Sequence, residues 1–395
     1  MSNHEIIVVG CGGLGSAALY WLSRELGGSV LGIERFELGH ARGASQDHSR
    51  IIRLAQHQSQ YAALAPHAYE AFYEIERESG VQVLLKTGGL VIEDPNGRDP
   101  EKVGTRNVDG YVAAFEEHGF DYELLDPEEL MDRWPQFRLS GSERAIYQPE
   151  SGLVDARKSN TVHVALARAR GANILENTRT VRAVRPNGAG VEVVTDAETY
   201  YADRVVVASD MWSDEVLRET GVQIPLTITQ EQVTYYATPH LREFAPDRFP
   251  VFMWHGADNF YGFPVYGEVA TKLGQHLGGH EVTPETRTFE PDPVRLERYR
   301  DFLGRHIPGF LGPELCTRTC PYTIPPDQNF VLDTLPEHPQ ISVAIGAGHA
   351  FKFVSLIGRI LSELALEGSS TYPIEPFEIT RPAITDRTFE KTFHA

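Results

Sequence analysis

The sequence predicts an α/β protein in which a mainly parallel sheet is combined with a second, antiparallel sheet. Three observations predict this architecture. A buried strand at the N-terminus runs into a glycine-rich turn and a helix. A second continuous apolar run, residues 204–208, has the composition of another buried parallel strand. Between residues 225 and 272 lies a strand-rich, aromatic segment with the alternation of an antiparallel sheet.

The N-terminal residues form a β–α–β unit around the glycine-rich turn. Ile6–Val9 is a run of β-branched residues that suits a strand buried on both faces. Glycines in the spacing that follows permit a tight turn, the approach of a pyrophosphate and close helix–strand packing. A carboxylate at the end of the second strand, Val30–Ile33, accepts hydrogen bonds from a ribose diol. The unit therefore predicts a Rossmann-like nucleotide site made by Gly10, Gly12, Gly13, Leu14, Gly15 and Glu34.

The composition of the chain excludes several classes of function. Its 395 residues are 41% hydrophobic and 23% charged, as in soluble globular proteins. The net charge of −19 argues against a nucleic-acid partner. No apolar run reaches the length of about 18 residues that a membrane span needs, and three cysteines do not make a disulfide framework. The first strand begins too early for a signal peptide, so we expect a cytoplasmic protein, and we predict no metal site.

A polar loop rich in Gly, His, Arg and Ser follows Glu34. We expect it to wrap a diphosphate or the far end of the nucleotide through Arg35, Arg42 and Ser45, and a solvated loop is the alternative. The next stretch contains Arg50 and Arg53, three residues apart. On one helical turn both arginines share a face and suit a planar carboxylate, whereas surface salt bridges are the alternative.

Periodicity, caps and turn residues predict the remaining elements. Helices are predicted at residues 61–78, 112–118, 126–133, 155–170, 293–307 and 355–367. Strands are predicted as a pair within 84–93 and at 145–154, 173–208, 226–236, 251–255, 259–264, 268–273, 330–333 and 341–345. Asp126 and Asp292, each followed by proline, are the predicted N-caps of their helices. The proline-rich tail from residue 373 is expected to drape over the surface.

Nucleotide-type βα segments at the start, middle and end of the chain enclose the sheet-rich insert. This arrangement predicts two discontinuous domains with a cleft at their boundary. We assign the Rossmann-like nucleotide-binding domain to residues 1–84, 145–220 and 316–370. The α+β substrate domain, with the antiparallel sheet, takes residues 85–144 and 221–315, and the C-terminal tail takes 371–395.

The motifs of the chain resemble those of the D-amino-acid-oxidase-type flavoproteins, and within them the monomeric sarcosine oxidase and N-methyltryptophan oxidase branch. The resemblance covers residues 5–80, 145–275 and 315–367, and it is thin in 95–145 and 280–315. Its stretches are Gly10–Gly15 with Glu34, Ser49–Arg53, Tyr261–Pro264 with Lys272–His276, Cys320–Thr323, and Gly346–Phe353. The resemblance implies FAD as the cofactor, with Gly346 and Gly348 at its C-terminal binding segment.

The resemblance also implies individual roles. Cys320 matches the cysteine that family members link to the flavin through a thioether, and a free buried cysteine is the alternative. Arg53 and Lys352 match the residues that bind a substrate carboxylate, and these cations would also stabilise an anionic flavin, which makes Lys352 a cofactor-binding residue as well. Lys272 matches the lysine that activates O2. Five further residues match positions that line the flavin or the substrate, namely Arg50, Tyr261, His276, Tyr322 and His349. A structural histidine with satisfied hydrogen bonds is the alternative for His276.

These matches imply an FAD-dependent oxidase that converts the C–N bond of a secondary amino acid to an imine, with O2 reduced to H2O2. Two departures from the family pattern stand out. Asp210 lies close to the position where a glycine normally lets the flavin approach, and a polar loop, residues 56–60, hints at a hydroxyl-rich ligand. The alternatives are therefore an FAD enzyme that oxidises the alcohol carbon of a sugar or glycoside, with His276 or His349 as base, and a protein that binds FAD without turnover.

Overall fold

The computed structural model describes residues 3–96, 106–178 and 181–393, and these residues form three β-sheets. The helices are α1 Gly13–Leu26, α2 Ser59–Ser79, α3 Val108–His118, α4 Pro127–Arg133, α5 Ala156–Ala169, α6 Ser213–Leu217, α7 Pro293–His306, α8 Val354–Glu367 and α9 Pro382–Thr385. The strands are β1 Asn3–Val9, β2 Val30–Ile33, β3 Ser49–Ile52, β4 Leu84–Lys86, β5 Gly89–Glu93, β6 Glu123–Leu125, β7 Arg144–Gln148, β8 Gly152–Asp155, β9 Asn173–Leu175, β10 Val181–Asn187, β11 Gly190–Thr195, β12 Thr199–Val207, β13 Thr227–Tyr236, β14 Val251–His255, β15 Asn259–Phe263, β16 Thr271–Gln275, β17 His280–Glu281, β18 Glu314–Ile324, β19 Val331–Leu335 and β20 His338–Ile345. In these ranges no helix is both long and apolar enough to cross a membrane.

The first sheet has eight strands. Five of them, β9, β2, β1, β12 and β20, lie parallel, and β10, β11 and β19 extend the sheet by antiparallel pairing. β1 lies between β2 and β12, so Val9 is opposite both Ile33 and Val207. The prediction that residues 204–208 contribute a buried parallel strand beside the N-terminal strand is therefore confirmed.

The two faces of this sheet are both covered, as the apolar run of β1 predicted. Ile6 and Val8 join the core under α1, α5 and α8, whereas Ile7 and Val9 join the core on the other face with α6. Successive side chains of a strand point to opposite faces, and polar residues are absent from this run because neither face meets water.

The second sheet has nine strands, in the order β17-β13-β16-β15-β14-β5-β7-β6, with β18 on the other edge of β13. Its pairs are antiparallel except for β5 with β14, so the predicted antiparallel sheet and the predicted fold class are confirmed. One face packs on α7 through a cluster of aromatic side chains that includes Phe252, Trp254, Phe260, Tyr299 and Phe302. β7 and β18 belong to this sheet although their residues were assigned mainly to the other domain, and the domain boundaries stay a prediction.

Several local predictions are confirmed and three are wrong. Helix α2 and the N-caps Asp126 and Asp292 are as predicted. The stretch from Arg50 is a strand and not a helical turn, because the β-branched residues after it pair with β8 in a small third sheet. β4 and β5 do not pair with each other but join different sheets. The tail does not simply drape over the surface, because its apolar side chains Phe377, Ile379, Ile384 and Phe393 are buried.

Candidate active site

A cavity of about 1040 Å³ lies between the first and second sheets. The carboxyl ends of β1, β2, β12 and β20 form one wall, and side chains from β13 to β16 and β18 form the other. Ligands of open α/β sheets bind beyond the carboxyl ends of the parallel strands, and pockets for drug-sized ligands measure about 300 to 1,000 Å³. The cavity therefore has the position and the size for a dinucleotide together with a small substrate.

Most of the residues that the sequence singled out are brought together here. Those that line the cavity are Gly10, Gly12, Gly13, Leu14, Glu34, Arg35, Ser45, Arg50, Arg53, Tyr261, Lys272, His276, Cys320, Tyr322, Gly346, Gly348, His349 and Lys352. Gly15 packs inside the fold, where a Cβ would lie 1.7 Å from the carbonyl oxygen of Gly10. Arg42 does not line the cavity; its exposed side chain lies over the ring of Phe36, a residue that does, at 4.9 Å from the ring centre.

The glycine-rich turn exposes backbone to the cavity. Gly10 has a φ of +87°, and a Cβ there would lie 2.6 Å from the carbonyl oxygen of Ala208. Helix α1 begins at Gly13 with no capping side chain from Gly12, and the Gly13 N–H donates to Ser45 Oγ at 2.7 Å. The positive end of the helix dipole and the backbone that the turn exposes suit a phosphate.

The carboxylate of Glu34 is fixed at the end of β2. Its two oxygens accept hydrogen bonds from the backbone N–H groups of Cys11 at 2.8 Å and Phe36 at 3.0 Å. His40 Nε2 lies 3.4 Å from Oε1, and Oε2 keeps a further lone pair, so Glu34 can still accept from a hydroxyl. Arg35 lies at the same end, 5.7 Å from the centre of the Trp212 ring.

A buried charge cluster occupies the middle of the cavity. Lys272 is 2% exposed, and its Nζ lies 2.6 Å from Asp47 Oδ2 and donates to the Ser49 carbonyl oxygen at 2.9 Å. Asp47 also accepts from Tyr235 and Arg318, each at 2.6 Å. Burial lowers the pKa of Lys272 to about 8, although the Asp47 charge opposes this. Burial alone would raise the pKa of Asp47, but the charges of Lys272 and Arg50 hold it below its ordinary value.

A second group of cations lies at the substrate end. Arg53 donates from Nη1 to the Tyr111 hydroxyl at 2.9 Å, and Lys352 donates from Nζ to the His349 carbonyl oxygen at 2.8 Å. Within the described ranges, neither cation forms an ion pair with a carboxylate. Burial lowers the pKa of Lys352, and the charge of Arg53 lowers it further. Two half-buried cations that have no carboxylate partner in the described ranges mark a site for an anion.

Neutral polar side chains complete this end. Burial lowers the pKa values of His276 and His349 well below the ordinary range, so both rings are neutral near pH 7. The ring of His276 lies 5.8 Å from that of Tyr322. Cys320 is on β18 opposite Glu231, and burial raises the pKa of its thiol, which the charges of Arg50 and Arg287 oppose.

The sequence reasoning missed several residues that line the cavity, among them Asp47, Tyr111, His255 and Phe393. Asp47 lies three residues before Arg50, and an acid so close to the two arginines could have been predicted from the sequence to pair with a cation of the site. Tyr111 falls on the buried face of α3, where it has the appearance of an ordinary core residue, and no local pattern identified it.

Comparison with known proteins identifies the chain's relatives. Residues 5–364 match the family model described as FAD-dependent oxidoreductase. The chain belongs to this family. It is 33% identical to monomeric sarcosine oxidase of Bacillus sp. (strain B-0618), over 99% of this chain and all of that protein. It is 28% identical to N-methyl-L-tryptophan oxidase of Yersinia pestis (strain Pestoides F), over 96% of this chain and 99% of that protein.

A solved structure of NikD, an amino acid oxidase of nikkomycin biosynthesis, is 26% identical with a TM-score of 0.83, covering 96% of this chain and 98% of that one. These comparisons confirm the predicted resemblance and the prediction of a sarcosine-oxidase-like, FAD-dependent enzyme. Because the chain belongs to a family of FAD-dependent oxidoreductases, the alternative of a protein that binds FAD without turnover is not supported.

The residues present fit FAD, the cofactor of the family. The backbone of Gly12 and Gly13 is open to the cavity at the start of α1, and Gly13 has no room for a side chain, because a Cβ would lie 2.9 Å from Ser45 Oγ. Glu34 lies at one end for a ribose, and the cations Arg50 and Lys272 lie further along to balance negative charge. These residues would hold the dinucleotide along the carboxyl ends of the parallel strands.

Proposed function

We propose that the protein oxidises the C–N bond of a secondary, N-methyl amino acid to an imine, with O2 reduced to H2O2. When bound, FAD supplies the redox chemistry, taking a hydride equivalent from the carbon beside the amine and passing the electrons to O2. The relatives named for sarcosine and N-methyl-L-tryptophan support this substrate class. The cytoplasmic location stays a prediction.

The observation that carries the proposal is the pair of cations Arg53 and Lys352, half-buried in the cavity wall without a carboxylate partner among the described residues. The carboxylate of an amino acid would supply the missing charge. The same cations disfavour a protonated amine nearby, so they would keep the substrate amine neutral, which is the form that can be oxidised.

The other residues have roles that follow from their charge. Lys272 would stabilise the negative charge that develops on O2, because a preorganised cation in a water-poor site costs no reorganisation. Arg50 would add positive charge to the same region. Neutral His276 and His349, with Tyr261 and Tyr322, would orient the substrate by hydrogen bonds. Cys320 would anchor the cofactor through a thioether.

A substrate screen tests the proposal. The purified protein is mixed without O2 with sarcosine, other N-methyl amino acids and pipecolate, and the absorbance of the bound flavin is followed. We expect bleaching by at least one of these amines and formation of H2O2 after O2 is admitted. A colourless protein, or bleaching by no amine, would contradict it. Colour that stays with acid-precipitated protein tests the Cys320 linkage separately.

A matched pair of variants locates the carboxylate site. Arg53→Met removes a cavity cation, and Arg77→Met removes an exposed arginine of α2. Because a charge-assisted hydrogen bond to a carboxylate is worth about 1.5–3 kcal/mol, we expect Arg53→Met to raise the KM for an N-methyl amino acid about tenfold or more. The Arg77→Met variant should match the wild type.

Oxidation of an alcohol carbon is the second candidate, and one observation favours it. His57 of the polar loop lines the cavity with a buried Nδ1 that has no hydrogen-bond partner among the described residues. A neutral His276 or His349 could remove a hydroxyl proton. Bleaching by sugars or glycosides, and not by amines, would favour this reaction.

A further inference from the structure

Helix α3 brings a phenol against the substrate-binding arginine. Tyr111 is fully buried, and its hydroxyl accepts a hydrogen bond from Arg53 Nη1 at 2.9 Å. The guanidinium carbon of Arg53 also lies 5.4 Å from the centre of the Tyr111 ring. Tyr111 belongs to residues 95–145, where the motifs of the family are thin, so this contact is not part of the matched motifs.

His255, at the end of β14, holds Tyr111 in turn. Its Nε2 lies 3.2 Å from the Tyr111 hydroxyl, the two rings stack with an interplanar angle of 19°, and its Nδ1 lies 3.1 Å from Asn259 Oδ1. A guanidinium can only donate, so the Tyr111 hydroxyl accepts from Arg53 and gives its own proton to Nε2. The proton on Nδ1 then goes to Asn259, and every hydrogen bond of the chain has one consistent direction.

This arrangement leaves the outer end of the guanidinium for a ligand. Nη1 of Arg53 donates to Tyr111, and Nε is enclosed by protein without a hydrogen-bond partner in the described part of the chain. Nη2 is not enclosed and makes no hydrogen bond in the same ranges, so it can donate a charge-assisted hydrogen bond to a carboxylate. A guanidinium that is free to turn would present Nη2 to the cavity only part of the time.

We propose that Tyr111 is a positioning residue that turns Nη2 of Arg53 toward the substrate carboxylate, and that His255 fixes Tyr111 for this task. The site then selects amines that carry a free carboxylate over their esters, amides and simple amines. This inference rests on the proposed function, since it assigns Arg53 to a carboxylate. It adds that α3 and β14 set the selectivity.

Acetate and acetamide test the proposal without turnover. Their dissociation constants are measured by calorimetry and by the absorbance change of the bound flavin, for the wild type and for Tyr111→Phe, which keeps the ring. We expect the variant to bind acetate about tenfold more weakly, from the strength of hydrogen bonds to charged groups, and to bind acetamide unchanged. Tyr122→Phe is the control, because its hydroxyl faces Glu116 at 3.5 Å.

A double-mutant cycle separates positioning from general support of the fold. In an Arg53→Met background, Tyr111→Phe should change acetate binding by less than about twofold, because the two residues act together. A pair of His255 variants keeps the test decisive if Tyr111→Phe folds poorly. His255→Gln retains an acceptor for the tyrosine and should bind acetate nearly as well as the wild type, whereas His255→Phe should bind it more weakly.

The outcomes distinguish this inference from the proposed function. If the wild type binds acetate and Tyr111→Phe binds it equally well, or if the effect persists in the Arg53→Met background, the positioning role is overturned and the carboxylate site stands. If the wild type binds no carboxylate at all, the carboxylate site of the proposed function fails, and this inference fails with it.

Discussion

Asp210 is expected to make the stability of the protein depend on pH. It follows β12, has a φ of +49°, and lines the cavity with a buried Oδ2 that has no hydrogen-bond partner among the described residues. Burial raises the pKa of Asp210 from 3.8 to about 6, although the Thr323 hydroxyl and the Arg287 charge act in the opposite direction. The perturbation is Asp210→Asn, which keeps the shape and tolerates a positive φ.

The size and sign of the effect follow from linkage. Because the pKa is higher in the folded state, the folded chain binds the proton more tightly than the unfolded chain between about pH 4 and 6, and stability falls as pH rises through this window. The interval from 3.8 to about 6 corresponds to at most about 3 kcal/mol, at about 1.4 kcal/mol for each pKa unit. Asparagine does not ionise, so Asp210→Asn should not show this loss.

Urea unfolding at a series of pH values measures the difference. Between about pH 4.5 and pH 7.5 the wild type should lose about 2 kcal/mol of unfolding free energy relative to Asp210→Asn. The control is Asp203→Asn, which removes an exposed carboxylate of the same strand and should follow the wild type. A difference of less than about 0.5 kcal/mol over this range would refute the reasoning, since it would mean that Asp210 is hydrated or paired in the folded protein.

Three further predictions concern the cavity and its support. Lys272→Met should slow the reaction of the reduced enzyme with O2, measured by stopped flow, by about 100-fold or more. In the wild type this rate should fall as pH rises through about 8, because Lys272 then loses its proton. A rate that does not depend on pH would contradict the role of Lys272. Arg295→Leu leaves Glu231 buried without its partner at 3.0 Å and should cost about 3–5 kcal/mol in urea unfolding, whereas Arg298→Leu, exposed on the same helix, should cost less than about 1 kcal/mol. Cys320→Ala should release all of its FAD on acid precipitation, and yellow precipitate from this variant would rule out the thioether.

The parts of the fold that depend on short stretches of sequence were predictable. The β–α–β unit, the N-caps Asp126 and Asp292, and helix α2 each follow from residues a few positions apart. The stretch from Arg50 to Arg53 was misread because the three-residue spacing of the arginines suits a helix, whereas the pairing of Ile51 and Ile52 with β8, a hundred positions along the chain, decides for a strand.

The candidate site divides in the same way. The chemistry-bearing residues Lys272, Cys320 and Lys352 were identified from motifs, and the cavity brings them together. The residues that contact and orient these side chains were not identified, because a contact between distant segments leaves no pattern in the local sequence. Asp47 and Lys272 form their ion pair from positions 225 residues apart, and Tyr111 and His255 are 144 positions apart.

The order of residues alone determined the nucleotide-binding unit, the alternation of the second sheet and the set of cations, since each of these depends on backbone periodicity or on residue type. The tertiary structure decided which cations lose their counter-ions and which keep them. Lys272 forms an ion pair with Asp47, whereas Arg53 donates to a phenol and has no carboxylate partner within the described part of the chain. That difference arises from which side chains packing places within hydrogen-bond distance, and only folding brings such distant segments together.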